Sequence, residues 1–510
     1  MIPRSSAAAR GQNIPFNLLP GIGGLNAAAS LMQMPKKDAV VLENFFPFPD
    51  RLQQREGYTS HVTGLAAPAY RMHVYAGSTG TEKLYATTDS GVYDVTTAGA
   101  VGAAAIALTN GKTSGAMLST GAAHYLMLVN GTDSLVQYNG TAWSSVATLG
   151  VVATNTLSAV EVYRQRLYFA KKNSLTFYFL PANSVSGTMT SYELGAIFRQ
   201  GGYIVAMGTW TLDSGSGPDD QLAIVTSKGE IAVFSGSDPS SSSTWAFRGV
   251  YYIGKPLGSN PLYKYGGDLL FLGENGLYPL SQTVQSAAIE RTRSVTDKIR
   301  QLFNDAAVEF SASEGWQIIA QPDIPLLLVN VPAAPQRKQF VMHAQSGAWA
   351  SYVGWDAYSF ARMGSNLYFA TSTTIMKVGG VSDDGANITS TAVQAYSNFG
   401  TAKTKQITAL KPYFTTGGNF TYNFGLISDF GTLTEASSIA RNLFGTAALW
   451  GSAIWGSAIW GGSDSNLQEW QTVPDIHSMH KALYLQIVSN VGSVSYYGCD
   501  GLMIPGGNFG

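Results

Sequence analysis

A single cysteine in 510 residues, Cys499, has nothing to pair with inside the chain, which excludes an intrachain disulfide framework. Charge is scarce as well. Lys, Arg, Asp and Glu together make 12% of the chain, against roughly 25% in ordinary globular proteins. The exposed surface must therefore be built from Ser, Thr, Asn, Gly and Ala, and part of its apolar area is expected to be covered by other subunits. With 31 basic against 32 acidic residues the net charge is -1, so no bulk field draws the chain to nucleic acid or anionic lipid. No run approaches the about 18 consecutive apolar residues of a membrane span, and MIPRSSAAARGQNIPF at the start lacks the apolar stretch of a secretion signal. Synthesis and folding in a cytoplasm are expected.

Signatures of chemistry are missing too. Gly111-Lys112-Thr113 supplies the end of a phosphate-binding loop, but Ile106 stands where its first glycine belongs. The GIGGLN stretch near Gly21 has two glycines of a dinucleotide fingerprint and Asn26 in place of the third. The six histidines make no HExxH, and only His477 and His480 are close. The loop from Asp213 to Asp220 gathers three carboxylates without the ligand order of a calcium loop. No G-x-S-x-G elbow sits between a strand and a helix. The sequence thus predicts no catalytic residue, no cofactor, no metal and no enzyme.

What is present is a repeat. Apolar runs opening with Leu begin at 84, 126, 167, 222, 269, 326 and 367, spaced by 42, 41, 55, 47, 57 and 41 residues. Each leads through a polar or glycine-containing turn into a second run of β-formers, such as GVYDV at 91, SLTFYF at 174 and TIMKV at 374. Turns such as DSG, KKN and SKG tolerate positive φ and close hairpins. Aromatic third-strand candidates follow several pairs: NGTAW at 139, SSTWAF at 242 and SGAWASY at 346. A period in the forties built from strand pairs predicts an all-β chain containing a β-propeller of six to eight blades, seven hairpins being counted. The ring is free to close with a strand from either end of the chain.

Three regions result. Residues 1–60 lack the hairpin rhythm and read as an N-terminal arm packing on a platform; within it Pro35–Phe46 fits a short helix or an extended strand equally well. The propeller is expected over 61–385, with one helical insertion at 286–309 capped by Ser294 or Thr296. Residues 386–510 carry longer alternating strands suited to a C-terminal β-sandwich. The tandem WGSAIWGSAIWGG places Trp450, Trp455 and Trp460 five apart, a spacing of neither strand nor helix, and reads as an interface loop or bulged strand, with carbohydrate stacking as the rival.

The segment Gly23 to Tyr58 resembles the opening of a family of tailed-bacteriophage virion proteins. The likeness lies in Gly24-Leu25-Asn26, Met34-Pro35, Asp38-Ala39, Leu42, Asn44-Phe45-Phe46-Pro47, Arg55 and Gly57-Tyr58. The propeller-like middle and the ending GCDGLMIPGG resemble it too. That family includes tail-nozzle and head-to-tail connector proteins of short-tailed phages. The resemblance implies a homo-oligomeric ring, commonly a hexamer, below the portal and adaptor, with double-stranded DNA leaving through its lumen. Interface candidates are then Asn44, Phe45, Phe46, Trp450, Trp455 and Trp460. A near-neutral wall suits a conduit, since a dense lining of Lys and Arg would hold the polyanion by counterion release. Rival readings are a carbohydrate-binding or carbohydrate-cleaving propeller and a cytoplasmic scaffold.

Overall fold

The computed structural model describes residues 13–78, 80–121, 123–211, 220–281, 294–321, 323–432, 437–443 and 465–506. The described chain divides into two units. One holds residues up to Tyr58, Val341–Tyr352 and everything from Gly379 on; the other holds Thr59–Phe340 and Val353–Val378.

The second unit is the propeller. Every Leu-initiated run pairs antiparallel with the strand before it as the second strand of its blade, and the run after it forms the third. Ala86 faces Tyr93, Leu128 faces Val136, Ala170 faces Phe177, and Phe369 faces Met376. Asn173 in the KKN turn has φ 54° and Gly229 in the SKG turn has φ 85°, the left-handed backbone that tight hairpins need. The trailing aromatic segments at Trp143–Val146 and Trp245–Tyr252 form fourth strands, paired to the third.

A further strand precedes each Leu run and forms the inner edge of its blade. These strands are Arg71–Ala76, Ser114–Ser119, Leu157–Tyr163, Ile204–Thr211, Leu262–Tyr265, Gln317–Gln321 and Ser359–Met363. Arg71–Ala76 meets the second blade through His124–Val129 and through His73 against Gly115, each later inner strand neighbours the next, and Ser359–Met363 neighbours Arg71–Ala76, so the seven described blades close into a ring. Closure uses the start of the chain: Tyr58–Thr63 adds itself to Thr374–Val378 in the sheet of the last blade. Between blades the core is apolar. Val62, Leu65, Leu84 and Ile375 fill one gap, while Leu118, Leu135, Leu167 and Phe169 fill another. Full burial of such a side chain contributes about 1.5–3 kcal/mol.

Of the helical insertion expected at 286–309, the described part is a 3-10 turn at Asp297–Ile299 followed by an α-helix at Arg300–Phe310, and 282–293 lie outside the described residues. Neither Ser294 nor Thr296 caps it. The Thr296 hydroxyl instead accepts the Leu277 N–H at 3.2 Å, tying the segment to its blade. Ile299 and Phe303 are buried.

The other unit is a sandwich made from both flanks of the propeller. One sheet runs Ser465–Gln468, Lys405–Thr416, Val494–Pro505, Leu52–Gln54 and Phe45–Pro47, with Ile14–Leu18 also on Val494–Pro505. The other carries Ala348–Tyr352, Asp38–Glu43, Ile388–Gln394, Lys481–Ser489, Phe420–Ser428 and Ser437–Leu443 in that order. Phe414 of the first sheet meets Phe420 and Tyr422 of the second, with ring centroids 5.2 Å apart in both pairs.

Pro35–Phe46, left open between helix and strand, takes the strand form over Asp38–Glu43, which pairs with Ile388–Gln394, since ladder hydrogen bonds outweigh a marginal helical stripe. The expected boundaries 1–60, 61–385 and 386–510 give way to two interleaved units, because Val341–Tyr352 carries a blade-like hairpin pattern yet belongs with the sandwich. Local periodicity reports that a strand exists, not which sheet receives it.

Candidate functional site

The arm residues singled out as interface candidates lie inside the sandwich. Phe45 and Phe46 are 0% and 4% exposed, and Asn44 is 4% exposed. Asn44 holds φ 55° and is bonded on every side. Its Nδ2 donates to the Thr389 carbonyl at 2.8 Å, its Oδ1 accepts from Arg55 Nε at 2.9 Å, and its carbonyl accepts from Ser390 Oγ at 2.9 Å. Arg55 then reaches Asp383 with two parallel bonds, 2.8 Å from Nη1 and 2.7 Å from Nη2, its side chain 1% exposed. These three residues therefore correct the expectation of an intersubunit face: they offer no surface to a partner. An aromatic pair before proline looks the same in sequence whether a neighbour or the chain's own core covers it. Trp450, Trp455 and Trp460 lie outside the described residues.

The other residues carrying the phage-protein resemblance have structural duties of the same kind. Gly24, at φ 83°, lies so close to Trp349 that a Cβ would come within 2.6 Å of its carbonyl oxygen. A Cβ on Gly57 would collide with the Ser382 carbonyl. Asn26 Nδ2 donates to Asp38 Oδ2 at 2.7 Å, while its Oδ1 accepts the N–H groups of Ala28 and Ala29. The segment is the stitching of the sandwich.

Concave, chemically varied surface is found in the propeller, where the inner strands converge. A cavity of about 260 Å³ is lined by Arg71, His73, Glu161, Met207, Tyr263 and Gln317 among others. It shares Lys112, Ser158, Val205 and Ser259 with a wider mouth of about 400 Å³ formed by turns at one end of the blades, including Lys172, Asn173, Ser227 and Glu314. Sequence reading missed both, because the inner strands mix polar and apolar residues and leave no motif. The one available signal was the polar character of the segments just upstream of each Leu run.

Electrostatics in the channel follow from burial. His73 is pushed down to about 3 by burial and by the neighbouring Arg71 charge, so its imidazole is neutral at physiological pH; its Nε2 lies 2.7 Å from Thr113 Oγ1. Burial also pulls Arg71 below the usual arginine value, with Glu314 opposing the shift. Arg71 Nη1 donates to the Tyr70 carbonyl at 2.7 Å and Nη2 to Ser259 Oγ at 2.5 Å, and Nη2 stands 3.5 Å from Glu314 Oε2. Glu161 is raised to about 7 by burial, against a hydrogen bond from the Val162 N–H and the Lys264 charge. Among the described residues no group of three or more His, Cys, Asp or Glu could hold a metal ion, and no helix is long and apolar enough to cross a membrane.

Glu161 carries a stability prediction. Its folded pKa lies above its ordinary value of 4.5, so the unfolded chain loses the proton first. The penalty is absent below pH 4.5, grows toward pH 7 and is complete above it. Glu161→Gln should therefore stabilise by about 1–3 kcal/mol at pH 8, short of full linkage because the channel admits water, and by nothing near pH 4. Urea titrations of both proteins at the two pH values check this; an equal gain at both would refute it.

No protein-family model matches the chain, and no curated protein matches it. Among solved structures it is similar to Raptor from Chaetomium thermophilum, at 11% identity and TM-score 0.40, over 64% of this chain and 29% of the Raptor chain. It is similar to BBS1N from its complex with ARL6DN, at 11% identity and TM-score 0.39, over 64% of this chain and 98% of that one. The β-propeller domain of Cps50 (Swd1) from Myceliophteria thermophila gives 10% identity and TM-score 0.37, over 63% and 98% of the two chains. Likenesses this low carry no weight for function. The propeller stands on the strand pairing and ring closure of this chain itself.

Proposed function

We propose that this chain is a structural virion protein of a tailed phage, a ring-shaped tail nozzle below the portal and adaptor that retains the genome and then conducts it. The observation that carries the reading is the placement of the resembling segment. Gly24, Asn26, Asn44, Arg55 and Gly57 each meet a close backbone approach or a buried polar contact that restricts which residue fits, so the likeness rests on residues the fold needs. Most of their contacts join residues 24–57 to Trp349 and to residues 382–390.

Assembly into a homo-oligomer, a hexamer in this reading, draws support from the outer edge of the fourth blade. Trp245–Tyr252 is eight residues long and ends its sheet, with Phe247 and Tyr252 each 49% exposed. Long apolar edges of this kind are covered in stable assemblies or cause aggregation. The near-neutral, charge-poor composition suits a wall past which DNA must slide.

Electron microscopy of the purified protein, alone and mixed with the portal–adaptor complex of its own particle, tests the proposal. Rings with a central hole and sixfold symmetry are expected in at least the mixed sample. Dispersed single copies in both samples would overturn it. A second reading, a carbohydrate-binding or carbohydrate-cleaving propeller for receptor recognition, is favoured by the polar concavity at the channel mouth, and predicts glycan binding by single copies.

A further inference from the structure

We propose that the mouth of the propeller channel is a binding site for a small oxyanion, the carboxylate or phosphate group of a compact ligand. Charge balance at this place carries the inference. The chain as a whole is balanced and charge-poor, yet four cations, Lys112, Lys172, Arg71 and Lys264, gather around the cavity and its mouth against two carboxylates, Glu161 in the inner cavity and, at the mouth, Glu314. That carboxylate is divided: its Oε2 stands 3.5 Å from Arg71 Nη2 and its Oε1 3.9 Å from Lys112 Nζ. Ordinary charge-assisted hydrogen bonds are about 2.7–2.9 Å long, so neither cation is well satisfied by it.

The cations are also held in place. Arg71 is fixed by the Tyr70 carbonyl and Ser259 Oγ, and Lys172 Nζ donates to the Gly131 carbonyl at 2.8 Å. Lys112 is the adjustable member, its side chain 43% exposed. Around them stand Ser158, Asn173 and Ser227, short polar side chains that can bond to an oxyanion or to hydroxyls beside it. The space of about 400 Å³ fits a ligand of sugar-phosphate size. An entering oxyanion would draw Lys112 away from Glu314 and share Arg71 with it. Glu314 therefore acts as a built-in competitor for the same cations.

Titration calorimetry of the full chain at low salt, with inorganic phosphate, glucuronate and uncharged glucose as probes, tests this. Binding of phosphate, glucuronate or both is expected, which distinguishes the two oxyanions, with no heat from glucose. Lys112→Ala should weaken binding at least tenfold. Glu314→Gln should tighten it several-fold, a gain that no folding defect can imitate. Binding should also weaken in 0.5 M NaCl, as screening requires. Equal binding of glucose, no binding of either anion, or an unchanged affinity in both variants would each overturn the proposal. The site does not rest on the viral reading: rings without phosphate or glucuronate binding would refute the site alone, and binding by single copies would leave it standing.

Discussion

Val62→Asp is expected to destabilise the propeller by more than about 4 kcal/mol, the largest effect foreseen for a single change outside the sandwich. Val62 is 1% exposed and lies among Leu65, Met72, Leu84 and Ile375, where the last blade meets the first. Its strand, Tyr58–Thr63, joins the sheet of Thr374–Val378 from early in the chain. A carboxylate at this point must either be buried without a partner or pull the closing strand off the ring. Thr63→Asp, on the exposed side of the same strand, should stay within about 0.5 kcal/mol. Urea unfolding followed by tryptophan fluorescence separates the two; comparable losses from both changes would argue against closure by this strand.

Arg55→Ala should cost about 3–5 kcal/mol, because it leaves Asp383, its side chain only 11% exposed, without its cation and removes a donor from Asn44. Arg55→Lys is expected to recover little of this, since one ammonium cannot reproduce two parallel bonds to the carboxylate together with a third to the Asn44 side chain. Replacing both charges, Arg55→Met with Asp383→Leu, should be less harmful than Arg55→Ala alone, as no buried charge then remains unpaired. Thermal melts of the four proteins provide the cycle. A loss under about 1 kcal/mol for Arg55→Ala would mean that water reaches Asp383 and that the staple is loose.

The parts of this fold that were legible in the sequence are those in which local pattern and tertiary role coincide. The second strand of every blade buries at least four consecutive residues, so runs such as LYFAK and LAIVT stay apolar and stand out. The inner strands border a polar channel on one side, and segments such as Leu262–Tyr265 and Ser359–Met363 carry no comparable signal. Pro35–Phe46 was ambiguous because its apolar residues satisfy either period. The strand form is selected by Ile388–Gln394, a partner more than three hundred residues away that no local window contains. Asn44, Phe45 and Phe46 were recognisable as restricted positions, but restriction has the same appearance at a core and at an interface. The channel mouth was invisible for a related reason: Arg71, Lys112, Lys172 and Glu314 are distant in sequence, and only ring closure assembles them.

Both units are closed by strands far apart in the chain, and this bears on how the molecule can be made. Ile14–Leu18 waits for Val494–Pro505, and Tyr58–Thr63 waits for Thr374–Val378. A ribosome releasing the chain at about 5–20 residues per second would hold the early strands unpaired for tens of seconds. Loop-closure entropy must be overcome before those distant pairings return any stability, so maturation is expected to be slow and to depend on nearly complete translation. Prematurely terminated products would then expose unpaired strand edges, which makes them ready substrates for chaperones and proteases.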